Sequence, residues 1–421
     1  MYSRGEAPFC INLSNYLAHH SLLWVRSHSV YSEDQQESSV THSQSDQWMN
    51  TMNATNSTMR HGMFIMPFHD PEKSLSQCYD EDLELIIRAE ELGFSEFWIG
   101  EHHTMQYENI VMPEIFIARA LGETKHIRLG PAPVCLQLHH PAHVASRLSF
   151  LDHLSKGRLN LCFGAGSVTA DLELYRLDPK QGSAMVEESI NIILHLWQSD
   201  PPYSYDGKFW PIKLEQFVDH ETKIGFIHKP FQQPYPKISI PGMSRNSPSM
   251  EMAGRRGFDP FGHCLVTSNV LADAWDTYAK GARKVNRTAD RQDWRVARSI
   301  FLADSTKEAQ QRARTNSLGK CYEYIGNLLD KNPIQGRKLY KRDLDMSDAD
   351  CNMDYLMKEQ IIAGDVDEVL RRLLHMIDET GPFGTLILMG YDWDDKDAWI
   401  HSMKLFSQEL MPALNKALGT V

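Results

Sequence analysis

Short apolar runs alternate with longer stretches of helical periodicity along the chain from His61 onwards. An apolar run of about four to eight residues bounded by turn residues is typical of a buried strand. There are eight such runs, at Gly62–Phe68, Glu96–Gly100, Arg128–Pro133, Arg158–Gly164, Lys237–Gly242, Phe258–Val266, Val296–Ala303 and Thr385–Gly390. Because helical stretches separate them, they predict parallel βα units, and eight units favour a closed (β/α)8 TIM barrel of the α/β class.

The helical stretches carry the expected periodicity and end signals. Asp80–Leu92 stops at Gly93, a residue favoured just past a helix end, and Met185–Gln198 has apolar residues on one face. Two long excursions interrupt the alternation, at Asp200–Pro236 and at about Arg314–Gly364. Connections of this length usually form lids or binding loops, so we expect both to cover the substrate.

The first 60 residues differ from the rest of the chain. The stretch Ser27–Arg60 is rich in Ser, Thr, Gln and Asn and has little apolar periodicity. Such a composition buries too little apolar surface to order itself, so residues 1–60 are predicted to be a disordered extension. A targeting helix over Leu13–Val30 is the alternative. Residues 61–421 are then a single barrel domain.

Composition and charge exclude several classes of function. The net charge of −12 argues against a nucleic-acid partner, because such binding needs clustered Lys and Arg. No apolar run approaches the roughly 20 residues that span a bilayer. The seven cysteines form no CxxC pair, as expected for reduced thiols. A cytoplasmic protein is the simplest interpretation.

Candidate chemistry follows the second predicted strand. Barrel enzymes carry their active sites at the C-terminal ends of the strands. Here the strand runs directly into Glu101, His102 and His103. A histidine in this position can exchange a proton near neutral pH, and a neighbouring carboxylate can fix its tautomer. A solvated or structural histidine pair is the alternative.

Two further strand ends favour a cofactor. Ala165 and Gly166 follow the fourth strand, where small residues let a flat ring or a phosphate approach the backbone, although a tight turn explains them equally well. The fifth strand leads to Ser244–Ser249, where Ser247 is a good N-cap and Pro248 a good first helical residue. Free helix amides with Arg245, Asn246, Ser247 and Ser249 suit a phosphate monoester. An ordinary capped helix with a surface arginine is the alternative.

Together, these features resemble the bacterial-luciferase-like family of flavin-dependent monooxygenases. The resemblance covers roughly His61 to the C-terminus. It is carried by the ordered segments FWIGEHH (97–103), ENI (108–110), HPAH (140–143), LSKGRLN (154–160) and NSPSM (246–250). The segments ENI and NSPSM look like the diketocamphane and limonene monooxygenase branch.

The resemblance implies a two-component enzyme with a separate reductase. A separate NAD(P)H-flavin reductase would deliver reduced FMN, and O2 would add to it as a C4a-peroxyflavin. The oxidised substrate would be a small apolar molecule: a terpenoid or cyclic ketone in a Baeyer-Villiger reaction, an alkene or an aldehyde. A homodimer is also implied.

The resemblance also assigns residues to roles. His102 matches the family's catalytic histidine, with Glu101 beside it. Cofactor contacts would come from Asn109, Leu136, Gln137, Ala165, Gly166, Ser244, Arg245, Asn246, Ser247 and Ser249. Two departures stand out. The stretch Ser183–Met185 lacks an arginine that many members carry there, so Arg245 would have to replace it. Gly166 matches the luciferases' reactive cysteine, so light emission does not follow.

A reactive flavin needs a dry wall, because water destroys the oxygenating species. Strand-end and loop residues that can supply this wall are Met66, Phe68, Trp98, Met105, Tyr107 and Trp393. For each of them, ordinary core packing is the alternative.

Three rival functions stay open. The first is a metal-dependent hydrolase, with ligands among Glu101, His102, His103, His139, His140 and His143. The second is a deazaflavin (F420)-dependent hydride-transfer enzyme on the same fold. The third is a non-catalytic partner subunit, which His102 argues against.

Overall fold

The computed structural model describes residues 58–331 and 336–419. Nearly all of the predicted extension, including the alternative targeting helix, therefore lies outside the described residues. The first strand begins at Arg60, and Met59 is buried with its backbone N–H 2.8 Å from Asn415 Oδ1. The ordered barrel thus includes Met59, slightly before the predicted start at His61.

Every predicted strand run overlaps a strand of the barrel, although the strands Arg60–Ile65 and Arg295–Leu302 begin one or two residues before their runs. In chain order the strands are β1 Arg60–Ile65, β2 Glu96–Ile99, β3 Arg128–Pro131, β4 Val134–Cys135, β5 Leu161–Gly164, β6 Tyr203–Tyr205, β7 Ile212–Leu214, β8 Ile238–Gly242, β9 Asp259–Gly262, β10 Arg295–Leu302, β11 Ile361–Gly364 and β12 Thr385–Gly390. The sheet order is β3-β2-β1-β12-β10-β9-β8-β5-β4, with all pairs parallel.

The barrel closes between β3 and β5. Leu129 forms a parallel bridge with Leu159, just before β5. The Leu129 N–H donates to Arg158 O at 3.0 Å, and the Asn160 N–H donates to Leu129 O at 2.9 Å. The strands β1, β2, β3, β5, β8, β9, β10 and β12 therefore form a complete ring, which confirms the predicted (β/α)8 fold.

Helices surround the ring, and the two that we predicted are present with longer N-terminal turns. The helices are α1 Leu75–Glu91, α2 Pro113–Glu123, α3 Pro141–Ser155, α4 Thr169–Leu174, α5 Gly182–Gln198, α6 Pro248–Arg256, α7 Ser268–Arg283, α8 Thr306–Thr315, α9 Ser317–Asp330, α10 Met353–Glu359, α11 Val366–Thr380, α12 Lys396–Leu405 and α13 Met411–Ala417. Side-chain caps fix several starts, such as Ser74 on α1 and Asp365 on α11.

The two excursions differ in structure. The first contains the antiparallel hairpin β6–β7, and the Glu188 carboxylate accepts the backbone N–H groups of Lys208, Phe209 and Trp210 in its turn. The second is largely helical and also contains β11, which sequence patterning missed. β11 pairs only with the outer half of β10, from Ser299 to Leu302, and so stands beside the barrel ring.

The barrel interior is packed by aromatic rings and lined by charges at its N-terminal end. Trp98 is fully buried, meets Phe261 edge-on at 5.3 Å between centroids, and donates from Nε1 to Glu96 at 3.0 Å. Arg295 donates to Glu96 at 2.7 Å and to Asp259 at 2.8 Å. Buried charges persist only when paired in this way. All three charged residues are the first residue of their strand, so this network marks the end opposite the mouth.

Two composition-based expectations concern thiols and membranes. The six described cysteines are all buried and free, in agreement with reduced thiols. Within the described ranges, no helix is both long enough and apolar enough to cross a bilayer.

Candidate active site

The mouth of the barrel is lined by the residues that follow each strand. Side chains alternate in direction along a strand, and Phe64 and Phe261 both face the interior, where their rings lie 6.1 Å apart edge-on. Residues two positions further along these strands, Met66 and His263, therefore face the interior at the mouth. The loops after β2, β4, β5 and β12 complete its rim.

His102 is paired with a carboxylate that the sequence prediction did not include as a site residue. His102 Nε2 lies 2.9 Å from Glu108 Oε2, and Glu108 is 3% exposed. Burial alone would lower the pKa of His102, but the charge and the hydrogen bond of Glu108 outweigh burial and raise it. The pair therefore favours a protonated imidazole that is held in place and can give up a proton.

Glu101 occupies a separate network beside this pair. Its Oε1 lies 2.9 Å from His103 Nε2 and 2.7 Å from His139 Nε2, and its Oε2 accepts the Cys135 N–H at 3.1 Å. Burial would raise the pKa of Glu101, but the hydrogen bonds from the two histidines overcome burial and lower it to about 2. Glu101 is thus a fixed anion that orients two imidazoles, and it does not contact His102 by a described hydrogen bond.

The residues that were candidate metal ligands of a hydrolase do not all converge on one point, because several of them bind different side chains or backbone groups. Glu101, His103 and His139 bring their ligand atoms within 4.8 Å of one another. However, His102 pairs with Glu108, and His140 Nδ1 accepts the Ala142 N–H at the start of α3. The three converging side chains also satisfy each other by hydrogen bonds, so a metal would have to replace both of those bonds.

Three polar side-chain atoms near the mouth are buried and lack a partner in the described part of the chain. They are His102 Nδ1, Asn109 Oδ1 and Gln137 Oε1. Buried polar atoms are almost always hydrogen-bonded, so an unpartnered group at a strand end indicates an external ligand. A flat ring with both N–H and C=O groups, such as that of a flavin, fits this set of polar atoms.

The small residues after β5 lie beside Gln137. The Gln137 amide approaches Gly166 O at 3.5 Å, and Gly166 has a φ of +77°, which glycine adopts without strain. Ala165 is partly exposed next to it. Leu136, by contrast, has no exposed surface and packs in the core, and its predicted contact with the cofactor stays a prediction.

The loop after β8 has the predicted helix start. Ser247 caps α6 by accepting the Met250 N–H at 3.5 Å and lies 2.8 Å from Ser249 Oγ, while Ser244 is exposed. Arg245 Nη2 donates to Arg342 O at 2.7 Å, which leaves its other N–H groups without a partner among the described residues.

One neighbour of this loop opposes an anion. The Asn246 N–H donates to Asp273 Oδ2 at 2.5 Å. Asp273 lies on α7, outside the sequence motifs described above. Because the Asn246 N–H is bound to the Asp273 carboxylate, it is not free to bind an anion, and the carboxylate also adds a negative charge. Binding of a phosphate here would therefore depend on Arg245 and on the serine hydroxyls.

An aromatic cluster covers the region around the His102–Glu108 pair. Phe68 stacks on Tyr107 with centroids 5.4 Å apart, and Tyr324 lies 4.4 Å from Tyr107 and 5.5 Å from Phe68. Phe68 also forms an antiparallel bridge with Glu108. Tyr324 belongs to α9 in the second excursion, which agrees with the expected cover, but this residue was not predicted.

The other predicted wall residues are distributed differently. Met66 is buried at the mouth, and Met105 is half-buried in the loop after β2. Trp98 is in the interior with Glu96, away from the mouth, and Trp393 lines a small cavity between the barrel and the helices with Leu85 and Met403. The structure therefore does not join Trp98 and Trp393 to the aromatic cluster.

A buried ionic network anchors the loop that carries Phe68. His69 Nδ1 lies 2.7 Å from Asp392 Oδ1 and its Nε2 lies 3.0 Å from Asp82 Oδ2, while Lys73 Nζ also binds Asp392 at 2.7 Å. Burial opposes the charged form of His69, but the hydrogen bonds that its ring donates to the carboxylates of Asp392 and Asp82 raise its pKa to about 9. His69 is therefore a buried cation that ties β1 to α1 and β12.

Known proteins resemble this chain over most of its length. The sequence profile of the luciferase-like monooxygenase family matches residues 59–382. A 3,6-diketocamphane 1,6-monooxygenase of Pseudomonas putida is 28% identical over 376 residues, which are 85% of this chain and 98% of that protein. The solved oxygenating constituent of the 3,6-diketocamphane monooxygenase, a type II Baeyer-Villiger monooxygenase in complex with FMN, superposes with a TM-score of 0.76. That structure is 28% identical and covers 84% of this chain and 98% of its own.

Two further relatives extend over similar lengths. A 4-hydroxyprotoasukamycin monooxygenase of Streptomyces nodosus subsp. asukaensis is 32% identical and covers 86% of this chain and 93% of its own. The oxygenase component of a flavin-dependent trigonelline monooxygenase of Acinetobacter baylyi is 26% identical and covers 85% of this chain and 96% of its own. The profile match spans well over half of the residues. The chain therefore belongs to the luciferase-like monooxygenase family.

Proposed function

We propose that the protein is the oxygenase of a two-component monooxygenase that uses reduced FMN and O2 to oxidise a small apolar substrate. The observation that carries the proposal is the His102–Glu108 pair, beside which Phe68 forms a bridge with Glu108 and packs with Tyr107 and Tyr324. A proton-holding group in a water-poor setting is what oxygen transfer from a flavin requires.

The residues at the mouth fit FMN. Asn109 Oδ1 and Gln137 Oε1 are buried polar atoms without described partners, and they would bind the ring, with Gly166 leaving room beside it. Ser247, Ser249 and the remaining N–H groups of Arg245 would hold the phosphate. Bound reduced FMN supplies the two electrons that activate O2.

In this proposal the residues of the chain hold one proton on His102 and exclude water from the site. Glu108 keeps the proton on His102 because its charge and hydrogen bond raise the pKa of the imidazole. His102 Nδ1 has no partner within the described ranges, so it is the atom through which the imidazole would bind the reacting ligand. Phe68, Tyr107 and Tyr324 would shield that atom from solvent.

The proposed substrate class rests on the aromatic residues around the site and on the names of the relatives. The aromatic cluster favours an uncharged, cyclic molecule, and the relative from P. putida is named for a camphane diketone. We therefore propose a cyclic ketone, oxidised in a Baeyer-Villiger reaction, as the first substrate class to test, followed by alkenes and aldehydes.

The proposed partners are a separate NAD(P)H-flavin reductase and a second copy of the chain. The trigonelline relative is named as an oxygenase component, which supports a reductase on another chain. Ile115 on α2 and Phe150 and Leu154 on α3 are large apolar residues that are at least half exposed, which supports burial against a second subunit. A cytoplasmic location remains part of the same proposal.

Anaerobic titration tests the proposal and separates it from the deazaflavin alternative. The full chain is titrated with reduced FMN and, in parallel, with reduced F420, and then O2 and a cyclic ketone are admitted. We expect reduced FMN to bind and oxygen consumption to yield an oxygenated product. Binding of reduced F420 with no binding of reduced FMN would overturn the proposal. Stoichiometric zinc in the purified protein, with loss of activity on its removal, would instead support a metal enzyme.

A further inference from the structure

His263 lies at the mouth, directly after β9, and has no role in the site described so far. It is the first residue after β9, and it continues the inward-facing series that begins with Phe261. Its ring meets Phe64 edge-on with centroids 6.0 Å apart. Since Phe64 also faces the interior, the His263 imidazole forms part of the floor of the mouth.

The hydrogen bonds of His263 define its tautomer. The Leu265 N–H donates to His263 Nδ1 at 3.2 Å, and Cys264 Sγ lies 3.7 Å from the same nitrogen. Since a backbone N–H can only donate, Nδ1 is assigned the lone pair and Nε2 the proton. Nε2 has no hydrogen-bond partner in residues 58–331 and 336–419, and the side chain is partly exposed. Its N–H is therefore available to a molecule in the mouth.

A buried cation holds this loop, and burial of the imidazole favours its neutral form. Arg298 is 2% exposed, and its Nη1 donates to His263 O at 3.3 Å and to Val266 O at 3.2 Å. Burial, followed by the charges of Arg298 and His102, lowers the pKa of His263 to about 4. A neutral donor at this place suits an uncharged acceptor better than a phosphate or a carboxylate.

We propose that His263 donates a hydrogen bond from Nε2 to a carbonyl oxygen of the ligand bound in the barrel mouth. Arg298 is then a positioning residue, because it fixes the loop without reaching the mouth. The carbonyl belongs either to the ring of FMN or to a ketone substrate, and a donor aimed at a ketone oxygen would stabilise negative charge that develops there. The identity of the ligand rests on the proposed function, whereas the tautomer does not.

The first experiment needs no ligand. Nitrogen-15 NMR of the imidazoles in the full wild-type chain, assigned with His263→Gln, reports which nitrogen is protonated. We expect His263 to be neutral and protonated on Nε2 at pH 7. A proton on Nδ1, or an imidazolium at pH 7, would overturn the inference.

The second experiment compares His263→Phe, which keeps a ring, with His263→Gln, which keeps an N–H donor. Anaerobic titrations measure the Kd of FMN alone and then the Kd of cyclohexanone with FMN present, and methylcyclohexane is the ligand without a carbonyl. We expect the Phe variant to weaken one of the two carbonyl ligands by about tenfold and the Gln variant to recover most of it. Weaker FMN binding identifies the flavin carbonyl, and weaker binding of cyclohexanone alone identifies the ketone.

His61→Phe is the matched control. His61 is also a buried histidine whose pKa burial lowers to about 4, but it packs between Phe94 and Phe406 outside the ring of strands. The His61→Phe variant should bind FMN and cyclohexanone with the same Kd values as wild type. Equal Kd values in wild type, His263→Phe and His263→Gln would overturn the inference. Failure of the wild-type chain to bind FMN in either oxidation state would instead contradict the proposed function, and the tautomer measurement would then decide the inference alone.

Discussion

His102 Nε2 lies 2.9 Å from Glu108 Oε2, and this contact joins the end of β2 to the far side of its own loop. The backbone closes the same loop, because the His102 N–H donates to Ile110 O at 3.1 Å. The imidazole is therefore fixed at both its ring and its backbone, and Nδ1 is its ring nitrogen without a hydrogen-bond partner among the described residues.

Replacing Glu108 by Gln should lower the pKa of His102. The buried imidazole loses the charge that now outweighs its burial, so its proton should be lost at lower pH. NMR titration of the His102 ring would measure this change, and we expect a lower pKa in the variant than in wild type. Product formation per O2 consumed should then decline at a lower pH than in wild type. An unchanged pKa in the folded variant would show that Glu108 does not control the proton.

His102→Ala should retain the fold and the affinity for reduced FMN but lose coupled product formation by about 10²–10⁴-fold. His401→Ala is the control, because His401 is an exposed histidine that pairs with Asp304 on the outside of the barrel. The measurement is the yield of oxygenated product per O2 consumed. Wild-type yield in His102→Ala would remove this residue from the chemistry.

Most strands of the barrel could be predicted from the pattern of apolar residues in the sequence. Each of the eight strands of the ring overlaps one of the eight predicted runs, because each run is short, apolar and followed by a helix. β11 was missed because Ile361–Gly364 is a four-residue run inside a long polar excursion, and its only partner is the outer half of β10.

The site could be predicted only in part. His102 and Glu101 follow a strand directly, so strand-end position indicates them. Glu108 belongs to the segment ENI (108–110), yet nothing in the sequence spacing shows that its side chain turns back onto His102. Tyr324 lies more than 200 residues from Tyr107 in the chain, and only tertiary packing brings the rings to 4.4 Å. Trp98 had the position of a wall residue, but the buried Glu96 carboxylate draws its indole towards the other end of the barrel.

Gly182→Ala should weaken FMN binding without unfolding the barrel. A Cβ at this helical position would lie 2.8 Å from Gln137 Oε1, so the amide has to move away from the place where the ring would bind. We expect about a tenfold increase in the Kd of FMN. Gly122→Ala is the matched control, because a Cβ there meets nothing within 4 Å. Equal Kd values for both variants would show that Gln137 does not contact the cofactor.

Tyr324→Ala should increase the release of hydrogen peroxide, whereas Tyr324→Phe should not. The Ala variant opens the aromatic cluster to water, while the Phe variant keeps the ring that packs on Tyr107 and Phe68. The measurement is hydrogen peroxide formed per O2 consumed, with a several-fold rise expected for Ala. A rise of the same size in both variants would assign the effect to the hydroxyl group instead of the ring.

The stability contributed by His69 should fall as the pH rises. Its folded pKa of about 9 exceeds the unfolded value of 6.5, so this contribution is complete below about pH 6.5 and is lost as the pH passes through about 9. Urea unfolding of wild type and His69→Gln at about pH 6 and about pH 9.5 would measure it. The difference in unfolding free energy between the two proteins should be larger at the lower pH. A difference independent of pH would contradict the buried imidazolium.

The most direct test of the monooxygenase assignment is isotope transfer from ¹⁸O2. The wild-type chain, supplied with reduced FMN, is exposed to ¹⁸O2 in the presence of a panel of cyclic ketones, and the products are analysed by mass spectrometry. We expect a lactone that carries one ¹⁸O atom, with the second oxygen atom released as water. Bound reduced FMN whose consumed oxygen is recovered entirely as hydrogen peroxide with every ketone, alkene and aldehyde tested would contradict the assignment.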